Sequence, residues 1–125
     1  QKTILIVEDD ASSQVFFEEI LNPTQVKILT ADTGKKALEK FKDHKNAISL
    51  VLMDIQLPDG SGLEITKKIK SINPSIPVIA QTAYAMSKDK QLTLNSGCDD
   101  YITKPIEKER LLSLISDFLN KERNS

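Results

Sequence analysis

Four short segments of this chain, residues 4–7, 26–29, 50–53 and 76–80, are apolar nearly throughout and do not alternate with polar residues; only Lys27 breaks the pattern. A strand with one face in water alternates, so unbroken apolar runs of this length fit strands covered on both faces, as in a parallel sheet. Residues 101–103 make a shorter fifth candidate. Between the runs the spacing becomes helical. The pattern predicts a first helix over residues 12–21 with Val15, Phe16 and Ile20, ending at Asn22-Pro23. A second, over 34–43, aligns Ala37, Leu38 and Phe41, and a third, over 62–71, leads Ile65 and Ile69 on to Ile72. Leu111, Leu112, Ile115, Phe118 and Leu119 mark a closing helix. A fourth, near 87–96, is the weakest, since Leu92 and Leu94 share no stripe, and Gly97 is its expected cap.

Strand and helix thus alternate five times, with breakers at Pro23, Pro58-Asp59-Gly60, Asn73-Pro74 and Pro77. That alternation predicts an α/β fold: a doubly wound parallel sheet with right-handed crossovers and helices on both faces. The 125 residues suffice for one domain and one core, with residues 3–120 as its body. A lone cysteine, Cys98, excludes an internal disulfide framework and agrees with a reducing, cytoplasmic setting. No run approaches a membrane span. The 17 basic and 18 acidic residues form no basic block, which removes the electrostatic case for nucleic acid. Because the chain opens on Gln1 and turns apolar by Thr3, a segment cut from a longer protein is expected.

Ligands of open α/β sheets sit beyond the carboxyl ends of the strands, near the point where strand order reverses. The polar residues closing each run therefore read as one group: Glu8-Asp9-Asp10, Asp54, Gln81-Thr82 and Lys104-Pro105. In the common strand order 2-1-3-4-5, strands one and three are neighbours, which crowds Glu8, Asp9 and Asp54 with Thr82 and Lys104 alongside. Such carboxylates repel unless neutralised. An all-oxygen cluster favours Mg²⁺ or Mn²⁺, with too few oxygens for a Ca²⁺ cage. A carboxylate beside such a cation can attack phosphorus, with Lys104 and Thr82 binding the phosphoryl oxygens.

Each residue alone has a plainer reading: Asp10 as a helix cap, Asp54 as solvated, Thr82 as a turn residue and Lys104 as a surface charge. Their coincidence at four strand ends favours the shared site. His44 reads as surface loop, Cys98 as a small buried residue, Asp59 to Gly62 as turn plus helix start, and Asp99-Asp100 as turn chemistry.

Four phrases carry a family resemblance: Ile-Val-Glu-Asp-Asp at 6–10, Leu-Met-Asp-Ile-Gln-Leu-Pro-Asp-Gly-Ser-Gly at 52–62, Gln-Thr-Ala at 81–83 and Gly-Cys-Asp-Asp-Tyr-Ile-Thr-Lys-Pro at 97–105. In this order the chain resembles the receiver domain of a two-component response regulator. The wording around Asp54 and Thr82 is most similar to receivers of hybrid sensor histidine kinases. The resemblance implies the flavodoxin-like order 2-1-3-4-5 and a phosphorelay role, with Asp54 as phosphoacceptor. It makes Asp9 and Asp54 direct Mg²⁺ ligands, Glu8 a ligand through water, and the Gln56 backbone carbonyl a further ligand. Lys104 then pairs with the phosphoryl group, and Lys104–Pro105 is expected cis. Thr82 becomes the switch hydroxyl and Tyr101 the switching aromatic, while Ala83 is small for close approach.

Gln56 and Tyr84 take positions that tune phosphate lifetime. Glu8 departs mildly, standing where many members have Asp. Implied partners are a histidine kinase or histidine phosphotransfer domain, and a downstream partner on the face of helix four, strand five and helix five. No contact of the domain with nucleic acid or membrane is expected, and it is expected in the cytoplasm or the cytoplasmic part of a membrane-anchored kinase. Rival readings are a haloacid-dehalogenase-like phosphatase, which resembles Asp-x-Asp where this chain has Asp54-Ile55-Gln56, a flavodoxin-like flavin or nucleotide binder, and an interaction domain that is never phosphorylated.

Overall fold

The structure, a computed structural model, describes residues 2–82 and 93–124. Five parallel strands form the main sheet: β1 (Thr3–Val7), β2 (Lys27–Ala31), β3 (Ile48–Asp54), β4 (Val78–Thr82) and β5 (Asp100–Thr103). Their spatial order is β2-β1-β3-β4-β5, the predicted one. β1, β3 and β4 are buried along their whole lengths, as unbroken apolar runs require. The outer strands β2 and β5 are those whose runs were interrupted or short, and both are partly exposed.

Helices α1 (Ala11–Leu21), α2 (Gly34–His44), α3 (Gly62–Ile72) and the closing helix α4 (Lys108–Asn124) pack on the sheet. One apolar layer joins Ile4, Ile6, Leu50, Leu52, Ile79 and Ile102 to Phe17, Ile20 and Leu21 of α1 and Leu111, Leu114 and Ile115 of α4. The other joins Leu5, Val7, Val51, Met53, Val78 and Ala80 to Ala37 and Phe41 of α2 and Ile69 of α3. The sheet separates the two layers, because successive strand residues point to opposite faces.

The first helix turns a different stripe inward than expected. Phe17, Ile20 and Leu21 are buried, while Val15 and Phe16 are 51% and 38% exposed. Asp10 sets this phase: its carboxylate accepts from the Ser13 amide at 2.9 Å, fixing where α1 begins. Three consecutive apolar residues, Val15 to Phe17, left two stripes open to the sequence. Pro23 falls in a 3₁₀ turn, Asn22–Thr24, directly after α1. His44 is the exposed last residue of α2 and not part of the following loop. Strands β3 and β4 also run further than their apolar cores, so that Asp54, Gln81 and Thr82 lie inside strands.

Leu114 joins the core of α4 beside the residues expected there. Of the expected fourth helix, only its end lies among the described residues. Thr93 is buried there, Leu94 is 40% exposed, and Gly97 has φ +101°, as a cap that glycine tolerates. Tyr84 and Ala83 fall outside the described residues.

Candidate functional site

Three backbone hydrogen bonds carry the ladder past the strand ends and fix the site residues: Glu8 N–H to the Ala31 carbonyl at 2.9 Å, Ile55 N–H to Gln81 at 3.2 Å, and Lys104 N–H to Thr82 at 2.8 Å. Glu8, Asp54, Gln81 and Lys104 each stand two residues beyond a member of the α1–α4 layer: Ile6, Leu52, Ile79 and Ile102. Period-two alternation therefore sets all four on that same face, with Asp54 and Gln81 abreast of Ile102, and Lys104 two residues beyond that line.

From there Lys104 reaches back over β4. Its Nζ lies 3.1 Å from Asp54 Oδ2 and 3.4 Å from Glu8 Oε1. Asp54 is only 4% exposed, and its Oδ1 accepts from the Gln56 amide at 2.9 Å. The Glu8 side chain is 1% exposed, and its Oε2 accepts from the Asp10 amide at 3.4 Å. Gln14 donates to the Glu8 carbonyl at 2.5 Å, tying α1 to the same corner.

Glu8, Asp9 and Asp54 each offer an oxygen within 4.8 Å of the others, a group that could hold a metal ion. Asp9 is the exposed member. The donors are all hard oxygens and few, which fits a small divalent cation that keeps part of its water shell. The electrostatics agree with a site short of positive charge. Burial first, then the hydrogen bond and charge of Asp54, push the Glu8 carboxyl up to about 7, with Lys104 only partly offsetting them. Burial lowers the Lys104 ammonium, but the hydrogen bond and charge of Asp54, with Glu8, outweigh it and raise its pKa. The Lys104–Pro105 bond is cis, as expected.

Thr82 and Tyr101 lie on the other face. Thr82 follows Ala80 by two residues, and Tyr101 is the register partner of Ala80, so both point into the α2–α3 side. Thr82 is 2% exposed and Tyr101 half-buried.

The sequence reading missed two tethers. Asp59, read only as turn, caps α2 across the loop: its carboxylate accepts from the Gly34 amide at 2.8 Å and the Lys35 amide at 3.0 Å. These bonds hold its pKa below the usual carboxylate value. Asp99 accepts from Lys70 Nζ at 2.7 Å and from the Val78 amide at 2.8 Å, pinning the approach to β5. Neither tether leaves a local signal, because the partners lie 25 and 29 residues away. Cys98 is buried, and burial pushes its thiol up to about 11, as befits an inert core residue.

Comparison with known proteins gives these residues a context. The family model for the response regulator receiver domain matches residues 4–116. The chain is 38% identical over 120 residues to the polar-differentiation response regulator DivK of Brucella anthropi, covering 94% of this chain and 96% of that protein. A CheY-like receiver domain protein of Methanospirillum hungatei superposes with TM-score 0.90 at 32% identity, over 98% of this chain and 97% of that one. The receiver domain of Saccharomyces cerevisiae Ssk1, solved with the histidine phosphotransfer protein Ypd1, gives TM-score 0.90 at 28% identity, over 98% and 91%. This chain belongs to the receiver domains of two-component response regulators. No helix of the described residues is long and apolar enough to cross a membrane.

Proposed function

We propose that the domain accepts a phosphoryl group on Asp54 from a phosphohistidine and switches partner binding in response. The observation that carries this reading is the Lys104 ammonium 3.1 Å from a nearly buried Asp54, beside the three converging carboxylates. Asp9 and Asp54 would hold Mg²⁺, or Mn²⁺ in its place, with Glu8 acting through water and the Gln56 carbonyl completing the protein ligands. The cation offsets charge on the phosphoryl oxygens. An Asp54 oxygen attacks phosphorus, the new O–P bond forms as the P–N bond breaks, and the histidine leaves with its electron pair. Lys104 moves its hydrogen bond from the carboxylate to a phosphoryl oxygen. Thr82 then closes on the phosphate, and Tyr101, on the same face of the adjacent strand, follows it. Gln56 and Tyr84 set how readily water removes the phosphate.

The donor is a histidine kinase or histidine phosphotransfer protein, in keeping with the Ypd1 complex of Ssk1. Phe16, exposed and beside Lys104 and Pro105, supplies an apolar contact for it. The downstream partner is assigned to the face of the fourth helix, β5 and α4. Incubation with acetyl phosphate and Mg²⁺ is expected to give one hydroxylamine-labile adduct. Its persistence in Asp54→Asn would overturn the assignment. Phe16→Ala is expected to slow transfer from a phosphohistidine protein and leave labelling by acetyl phosphate unchanged.

A further inference from the structure

The group Glu8, Asp54, Gln81 and Lys104 on this face contains one member with no assigned task. Gln81 is 0% exposed, and among the described residues neither its Oε1 nor its Nε2 has a hydrogen-bond partner. Its register partners are Asp54 on β3 and Ile102 on β5. Neighbouring strands run about 4.8 Å apart, so the amide is within one side-chain length of the Asp54 carboxylate on the same face. Both Asp54 oxygens are engaged already, Oδ1 by the Gln56 amide and Oδ2 by Lys104. Lys104 reaches Asp54 from beyond β5, and therefore passes over the strand that carries Gln81. A buried amide without partners is costly, and native proteins rarely keep one without a use.

We infer that Gln81 is a positioning residue for the phosphorylated state: when Lys104 turns to the phosphoryl group, the Gln81 N–H takes over its hydrogen bond to the Asp54 side chain. The exchange fills the acceptor position that the ammonium vacates on Asp54, and it gives the amide the partner it lacks. The loaded arrangement is favoured to that extent. This inference rests on Asp54 being the phosphoacceptor.

Beryllofluoride with Mg²⁺, a phosphoryl mimic, tests both layers separately. In the wild-type domain labelled with ¹⁵N-glutamine, at least one Gln81 Nε2 proton is expected to shift downfield and exchange more slowly on loading. Gln81→Met keeps size and removes the amide. It is expected to melt no lower than wild type without ligand and to bind beryllofluoride roughly tenfold more weakly, a difference of one hydrogen bond. Gln81→Leu serves as the second variant should methionine perturb folding. If loading moves the Asp54 and Thr82 backbone resonances but not the Gln81 amide, and the variants bind normally, the Gln81 inference fails alone. Equal loss of stability in free and loaded forms also overturns it, since a merely structural residue behaves so. Absence of any Asp54-dependent binding overturns both the inference and the reading beneath it.

Discussion

A β-carbon on Gly62 would stand 2.0 Å from the carbonyl oxygen of Asp54. Helix α3 therefore starts against the backbone of the proposed phosphoacceptor, held there by the Gly62 N–H to Ile55 carbonyl bond of 3.0 Å. The requirement is one of space, because the atoms met are backbone of Asp54 and Ile55 and no flexible side chain is there to yield. Gly62→Ala is expected to lose at least about 2 kcal/mol in urea unfolding, the scale of overpacking a rigid site, although alanine is the better helix former. Acetyl phosphate labelling should fall with it.

Glu8 makes the metal-free domain sensitive to pH. Its carboxyl titrates near 4.5 when unfolded and at about 7 when folded, burial being the main cause. Between those values the folded state holds more protons, so stability is full below pH 4.5, falls as pH rises toward 7, and levels off above it. Unfolding midpoints in EDTA across that range should show the decline, and Glu8→Gln should remove it. Mg²⁺ affinity should climb over the same interval, because the cation needs the ionised form.

Lys104 is the fixed cation among three carboxylates. Lys104→Met should cost on the order of 1–2 kcal/mol at pH 8 in EDTA, less than a fully buried pair, because the lysine side chain stays 35% exposed. Saturating Mg²⁺ should recover most of that loss in thermal melts while labelling of Asp54 stays strongly reduced.

Asp59 ties the loop after Asp54 to the start of α2. Asp59→Ala should lower the melting temperature modestly, since Thr33 still caps the helix by accepting from Lys36. It should weaken Mg²⁺ binding several-fold in calorimetry, because the loop carrying the Gln56 carbonyl loses its anchor. A variant with wild-type Mg²⁺ affinity would show the tether to be structural only.

The α/β alternation and the carboxylate cluster were legible for one reason: both depend on residues that are apolar without interruption or polar at the point where such runs stop; the strand order came from the family resemblance instead. Burial at β1, β3 and β4 leaves the sequence no choice of residue type, so the pattern survives reading. Asp54 and Thr82 stood out because a charge or hydroxyl closes each run. Gln81 was grouped with them but given no task, since a polar residue beside Thr82 looks like the strand's wet end, and only the register sets it abreast of Asp54. The phase of α1 was hidden because Val15, Phe16 and Phe17 are equally apolar. Asp59 and Asp99 were hidden because tertiary caps join residues with no sequence spacing in common.

The sheet is also a partition. Asp54 and Lys104 belong to the face shared with α1, and Thr82 and Tyr101 to the face shared with α2 and α3. In the proposed reading, a donor arriving over Phe16 loads the domain from one side, while the switch pair moves on the other. In that reading, what the donor touches and what the switch pair touches are separated by the thickness of the sheet.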